Sequence, residues 1–528
     1  MRKKFTVTGK CIPAQDYMAD VSKKLAQTLR MVEMGDYFII NRPRQYGKTT
    51  TLYTLARTLR ATADYIVFNT SFEGIDEVNF EEEQQFASGF VRLLGKSMQV
   101  FDPENALKLL ALAPTIKGMN ALSDFITDFT SKTDKKVVLF IDEVDQSSNN
   151  ELFVRFLALL MSKYLARDEV KTFHSIVLAG LHDVKSLKLK LRRNEQQKYN
   201  SPWNIAADFK INMNLQPSEI KSMLEDYTQD SSIKMDTEWF ANRLFYFTSG
   251  YPYLVSKLCK VIDEEILPEK TVQEWTEDDL NEAFNLIFRE ANNTNFDTLV
   301  KNLEHYPDLY QLVFSLIFDS EKVEYSQHDA LVNLGTLHGI LGRSESGHLI
   351  IHNRVYRELI ANMMVSKWRT SNIGKFNPMS AASDFRGSYR LPNGGLDMEK
   401  VMYNFQVFMR ENHSDKDRKF LERDGRIIFL AFLKPILNGS GFEFKEPQIS
   451  DERRLDIVIT YNQFKYVVEL KVWYGEVAHE KGLIQLTDYL ERQGLDTGYL
   501  VIFDHSKKKT WKKEWIEVEG KRILWARV

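Results

Sequence analysis

Tyr37-Phe38-Ile39-Ile40-Asn41-Arg42-Pro43-Arg44-Gln45-Tyr46-Gly47-Lys48-Thr49-Thr50 decides how the first half of this chain is read. Tyr37 to Ile40 is a short buried-strand pattern, and Thr51 to Leu59 continues at helical spacing. Strand, loop, Gly-Lys-Thr and helix in that order form the context of a phosphate-binding loop. Backbone N–H groups of Gln45, Tyr46, Gly47 and Thr50 are expected to line a nucleotide's phosphates at the helix start. Lys48 is expected to reach the outer phosphates, and the Thr49 hydroxyl to ligate Mg²⁺. Arg42 stands where the usual pattern has its first glycine, so a differently shaped loop is expected.

Downstream, Lys136-Val137-Val138-Leu139-Phe140-Ile141 is a continuous apolar run that ends in Asp142-Glu143. Such a run suits a parallel strand buried on both faces. Its carboxylates then fall at the strand's C-terminal edge, where ligands bind in α/β sheets. Asp142 is expected in the Mg²⁺ shell, and Glu143 is expected to polarise the attacking water, which points to hydrolysis as well as binding. Tyr65 to Phe68 and Ser175 to Ala179 read as further strands of the same sheet. His182 and Asp183 are either γ-phosphate sensors or ordinary loop residues. Arg192 and Arg193 are either an arginine finger or a solvated helix face.

Composition narrows the classes. A chain of 528 residues suggests several domains, since a domain usually holds about 100–200 residues. Hydrophobic content of 43% supports packed cores and argues against global disorder. A net charge of −3 excludes a basic coat over the whole surface, so nucleic-acid contact would need a local patch. The two cysteines, Cys11 and Cys259, point to a reducing compartment without a disulfide framework. Met1 to Thr6 is charged with no apolar run behind it, which predicts no signal peptide. No window approaches the ~20 apolar residues of a membrane span. A cytoplasmic protein without membrane contact is therefore expected.

Asn41 to Thr50, the strand ending Ile141-Asp142-Glu143, Ser201-Pro202-Trp203-Asn204-Ile205-Ala206 and Ser249-Gly250-Tyr251-Pro252-Tyr253-Leu254 together resemble the AAA-like ATPases of bacteria and archaea. That group lies near the signal-transducing STAND and archaeal-type ATPases, and the resemblance covers roughly residues 10–365. It implies ATP as the nucleotide and an ASCE-type P-loop NTPase core with a helical lid. In the lid, the Gly-Tyr-Pro turn would start a helix facing the nucleotide.

Ile220, Met223, Leu224 and Tyr227, and then Leu254, Leu258 and Ile262, recur at helical spacing and suit the lid. Leu309 to Phe318 and Ala330 to Leu334 read as helices. Gly339 to Arg343 and His348 to His352 flank Ser344-Glu345-Ser346-Gly347, a hairpin signal. Two helices and a hairpin match a winged helix, serving either DNA reading or regulation of the ATPase. Ser366 to Leu396 is polar and aperiodic, which marks a linker.

Beyond it, Arg454-Leu455-Asp456-Ile457-Val458-Ile459 and Val467-Val468-Glu469-Leu470-Lys471 place acidic residues on neighbouring strands. Asp456 and Glu469 would converge on one hard divalent ion, as oxygen ligands of Mg²⁺ do. Lys471 would share the Glu469 face, because strand side chains alternate. There it could position water or stabilise charge on a phosphate. Gln485 and Tyr489 lie four apart on a helix running from Val477 to Gln493.

The order helix, strand, strand, helix, strand resembles the PD-(D/E)XK nuclease superfamily over about residues 400–528. The resemblance implies Asp456 and Glu469 as metal ligands, Lys471 as the catalytic lysine, and Gln485 and Tyr489 as the downstream helix motif. Glu422 and Glu446 compete for the first acidic position, and Arg454 either touches the scissile phosphate or pairs with Glu446. The Lys507-Lys508-Lys509-Thr510-Trp511-Lys512-Lys513 run is either a phosphate grip or a solvated charge run.

The expected α/β architecture is thus an ATPase core over 1–215, a helical lid over 216–300 and a winged-helix-like module over 301–365. A linker over 366–397 then leads to a PD-(D/E)XK restriction-endonuclease-like α/β/α domain over 398–528. The expected function is an ATP-gated DNA nuclease. Its partner would be nucleic acid, DNA in the first instance, with homo-oligomer formation left open and defence against foreign DNA as a setting. The alternative is an ATPase switch whose nuclease fold binds without cutting.

Overall fold

The computed structural model describes residues 2–74, 82–144, 151–180, 206–290, 293–318, 323–371, 389–412, 422–437, 441–442, 457–461, 464–473, 476–504, 506 and 510–528. Two compact units emerge. One is Met1–Leu299 with Asn333–Ile340 and His352–Val355; the other is Val300–Val332, Leu341–Ile351 and Tyr356–Val528.

The first unit is organised by strands β1 (Tyr37–Asn41), β2 (Tyr65–Ser71), β3 (Lys136–Asp142) and β4 (Ser175–Gly180), all parallel in the order β1-β4-β3-β2. β4 therefore lies between the strand that feeds the phosphate loop and the strand that ends in Asp142. Ala207 forms a parallel bridge with Phe38 on the outer edge of β1. Alternation along β1 assigns its two faces. Tyr37 and Ile39 pack with Phe68, Phe86, Phe90, Leu122 and Phe156 on one side. Phe38 and Ile40 pack with Val32, Leu52, Leu55 and Phe209 on the other. Both faces are covered by helices, so every residue of β3 after Lys136 is buried.

In the same unit, the helices Pro217–Ser231, Thr237–Thr248, Pro252–Val261 and Glu277–Leu286 fill the stretch read as a helical lid. Their starts are encoded locally: Pro217 and Pro252 occupy first turns, Asp236 caps Trp239 N–H, and Thr276 and Asp279 form a capping box. Gly250 joins two of them at φ +73°, and a Cβ there would lie 2.1 Å from the Leu215 carbonyl oxygen. Only glycine fits that crossing.

In the second unit, β5 (Leu341–Arg343) and β6 (Leu349–Ile351) form the expected antiparallel hairpin. The helix Arg354–Ser371 continues six residues into the stretch read as linker. β7 (Gly441–Phe442), β8 (Ile457–Tyr461), β9 (Phe464–Val472), β10 (Thr497–Phe503), β11 (Lys513–Val518) and β12 (Lys521–Arg527) build a mixed sheet in the order β11-β12-β10-β9-β8-β7. β7, β8 and β9 are antiparallel, whereas β9, β10 and β12 are parallel. The order helix, strand, strand, helix, strand read from the sequence ends at β10; β12 pairs beyond it and β11 forms the edge.

The helix Glu476–Arg492 packs Leu483, Leu486, Tyr489 and Leu490 on one sheet face against Val467, Leu500, Ile502 and Ile523. The helices Met398–Asn412 and Glu422–Leu437 cover the other face, where Phe405 meets Phe429 and Phe503. No helix among the described residues is long and apolar enough to cross a membrane.

Candidate functional site

β1 delivers the chain into the loop Arg42–Gly47, and the helix Lys48–Arg60 leaves it. Left-handed φ within this stretch falls at Gln45 (57°) and Gly47 (76°). Nothing lies within 4 Å of a Cβ built on Gly47, so its conformation, and not lack of space, asks for glycine. Position 42 needs no such freedom. The Arg42 guanidinium donates to the Asn41 and Ile211 carbonyls, both at 2.9 Å, and lies over the Phe209 ring. Burial lowers its pKa. The residue that departs from the usual pattern therefore ties the start of the loop to the chain beside β1.

Lys48 is 6% exposed, and its Nζ donates to the Arg42 carbonyl at 2.9 Å and the Pro43 carbonyl at 3.0 Å. The ammonium is thus held inside the loop that is expected to take phosphates. The exposed Thr49 donates its hydroxyl to Asp142 Oδ2 at 2.6 Å, and Asp142 Oδ1 accepts the Glu143 N–H at 3.0 Å. Glu143 adopts φ 52° at the end of β3, a left-handed conformation that a non-glycine residue takes at a cost of about 1 kcal/mol. A hydroxyl, a buried carboxylate and a strained second carboxylate meet at one sheet edge. That donor set fits a hard cation and a polyphosphate.

The loop's other side is braced by residues that no local motif marks. Tyr46 is buried, and its hydroxyl lies 2.8 Å from His352 Nε2. The Tyr251 ring meets Tyr46 edge-on at 4.5 Å, and the Tyr251 hydroxyl donates to the Arg44 carbonyl. Asn295 Nδ2 donates to Gln45 Oε1 at 2.8 Å, and a Cβ on Gly339 would lie 2.9 Å from Pro43. Thr50 accepts the Cys11 N–H at 3.1 Å, so its hydroxyl anchors the N-terminal segment. Burial pushes the His352 imidazole down to about 4. Of the bracing residues from outside the loop, Cys11, Tyr251, Asn295, Gly339 and His352, Tyr251 alone lay in a stretch quoted for the resemblance.

In the second unit, Glu469 is 1% exposed on β9, and Lys471 Nζ lies 2.9 Å from its Oε1. The shared face read from alternation is observed. The Lys471 stem also packs beside Gly482 of the helix Glu476–Arg492. Gln485 and Tyr489 part company: Tyr489 enters the core, whereas Gln485 is exposed. Four residues turn a helix about 40° past a full circle, enough to separate two side chains at the edge of a buried face.

Asp456, Glu446 and Arg454 lie outside the described residues, as do His182, Asp183, Arg192, Arg193, Ser201–Ile205 and Lys507–Lys509. Glu422 opens the helix Glu422–Leu437, but its side chain is not described. Among the described residues, no three His, Cys, Asp or Glu side chains gather as a metal cage.

The first unit's sheet order, phosphate loop and Asp142-Glu143 strand end define a P-loop ATPase class of core. The chain belongs to the AAA-like domain family, whose model matches residues 17–361. That match bears out the ATPase part of the expected architecture and ends before the C-terminal sheet. Among solved structures, the chain is similar to a Walker-type ATPase of Pyrococcus abyssi, with 12% identity, TM-score 0.46, and coverage of 67% of this chain and 99% of that one. It is also similar to the ORC2 protein of Aeropyrum pernix in ADPNP-ADP complexes (12%, TM-score 0.41, 69% and 98%). A third is the RuvB Holliday junction branch migration motor of Thermotoga maritima (17%, TM-score 0.34, 67% and 98%). No functionally curated protein matches the chain.

Proposed function

We propose that this protein is an ATP-gated, Mg²⁺-dependent DNA nuclease, with an AAA-like ATPase module controlling a C-terminal PD-(D/E)XK-type domain. The observation that carries the nuclease reading is the Glu469–Lys471 pair, a buried carboxylate and an ammonium on one face of an inner strand. Asp456 immediately precedes β8, whose first residue, Ile457, pairs with Val468, the neighbour of Glu469. The helix and strand order after β8 fits the same superfamily.

In the ATPase module, Thr49 and Asp142 would hold Mg²⁺, which supplies charge neutralisation to the phosphates. Lys48 would exchange its loop carbonyls for phosphate oxygens, and Glu143 would take a proton from the attacking water. In the C-terminal domain, Asp456 and Glu469 would hold a second divalent ion, and Lys471 would stabilise negative charge on the phosphate being cut. Gln485, exposed on the neighbouring helix, would contact the substrate strand. Defence against foreign DNA is the setting this reading suggests.

Purified protein incubated with plasmid and Mg²⁺ or Mn²⁺, with and without ATP, tests the proposal. Wild type is expected to nick or linearise plasmid at least ~10²-fold faster than Lys471→Ala. Glu143→Gln should bind ATP without turnover and lose the ATP dependence of cleavage. Absence of cleavage under every condition, with Lys471→Ala indistinguishable from wild type, would overturn it in favour of a non-cutting switch.

A further inference from the structure

We propose that the seam between the helix Met398–Asn412 and edge strand β11 docks an unpaired DNA strand, an inference that rests on the reading of this protein as acting on DNA. Glu399, Tyr403, Gln406 and Arg410 recur at helical spacing, so they line one stripe of that helix. Gln406 Nε2 donates to the Lys512 carbonyl at 3.1 Å and the Arg527 carbonyl at 2.8 Å, fixing the stripe beside the start of β11.

Along the seam, cations sit on aromatic faces. The Arg410 guanidinium lies 5.2 Å from the Trp511 ring, Lys513 Nζ lies 5.0 Å from Tyr403, and the Arg522 guanidinium lies 4.9 Å from Trp515. The Trp515 ring is 6.3 Å from Tyr499, which extends the aromatic row inward. Tyr403 is 52% exposed, and Arg410 and Arg522 are exposed as well. Among the described residues, the carboxylate that engages this charge is Glu399, 3.9 Å from Lys513.

Rings with cations over them give bases a stacking platform and phosphates a counter-charge, the combination that holds single strands. A duplex keeps its base faces covered and gains only the charge. Lys513 and Trp515 alternate along β11, so they stand on one side ~6.8 Å apart, with Trp511 just before the strand. In a protein of net charge −3, nucleic acid must meet such a local basic band. The band is separate from the candidate cutting site: Tyr499 pairs with Val468 and Leu500 pairs with Glu469, so Tyr499 and Glu469 point to opposite faces of the sheet.

Fluorescence anisotropy of the full-length protein in EDTA, with a labelled oligothymidylate of roughly 15 nucleotides, tests the surface without cutting. The Tyr403→Ala/Arg410→Ala/Arg522→Ala variant should bind at least ~10-fold more weakly, with ATP turnover unchanged. Its slope of log affinity against log salt should fall by about 1.4, the share of two cations on a single strand. Tyr403→Phe/Arg410→Lys/Arg522→Lys should restore most of the affinity. Unchanged binding by the alanine variant overturns the proposal, and so does equal wild-type affinity for duplex DNA or for RNA of the same length. Lys471→Ala separates the two readings. If wild type cuts nothing but the alanine variant loses the oligonucleotide, the surface stands and the nuclease reading falls. If wild type cuts, Lys471→Ala does not, and the alanine variant binds normally, only the surface falls.

Discussion

The phosphate loop and the Glu469–Lys471 pair both hold a lysine, but in opposite ways. Lys48 is enclosed by backbone carbonyls of its own loop, and that loop is braced in turn by Tyr251, Asn295 and His352. Lys471 Nζ lies 2.9 Å from a side chain, Glu469, two residues away on the same strand. Backbone recognition tolerates a changed consensus, because the loop's shape depends on φ at Gln45 and Gly47 and not on a glycine at position 42. Side-chain recognition depends on register, since sliding β9 by one residue would turn Glu469 and Lys471 to the other face together. Backbone architecture makes the first site robust and widely braced; a ladder register makes the second compact.

The largest effect should come from Lys48→Ala, which is expected to slow phosphate release from ATP by ~10²-fold or more while leaving the C-terminal domain folded. Release at the wild-type rate would break the comparison, because the enclosed ammonium would then have no phosphate to meet.

Acid should next distinguish the two sites. His352 titrates near 4 in the folded chain against an ordinary 6.5, so the unfolded chain binds the extra proton between those values. Stability from this group is complete above about pH 6.5 and is lost as pH falls towards 4, by about 3 kcal/mol. Urea midpoints across that range should flatten in His352→Gln. An equally steep profile in the variant would show that the acid sensitivity arises elsewhere.

Glu469→Gln gives a smaller and opposite signature. It removes a desolvated charge and keeps the shape, so the thermal midpoint should hold or rise by a few degrees while plasmid cleavage is lost. A clear fall in midpoint would make the pair structural. Smallest is Tyr46→Phe, which deletes the hydroxyl facing His352. It should cost about 1 kcal/mol in denaturant titration and shift the KM for ATP by a few-fold at most.

Much of this was legible in the chain. The apolar run into Asp142-Glu143 reads as a strand buried on both faces, and Gly-Lys-Thr after a strand reads as a loop opening a helix; both elements are observed. Alternation by itself puts Glu469 and Lys471 on one face, as their ion pair shows. Spacing alone did not say that Tyr489 is buried and Gln485 exposed, because a helical period cannot say where a buried face ends. It also stopped the C-terminal sheet at β10, because β11 and β12 alternate apolar and polar residues too weakly to declare their pairing.

Sequence alone determined the elements and the side-chain types at both sites, since period, capping and backbone freedom act over a few residues. Only the tertiary structure decided that Arg42 ties the loop to Ile211, that His352 faces Tyr46 across 306 residues of chain, and that Arg410 lies over Trp511. Those contacts follow from how packed elements bring distant residues within a few ångströms of one another. No local pattern carries that information.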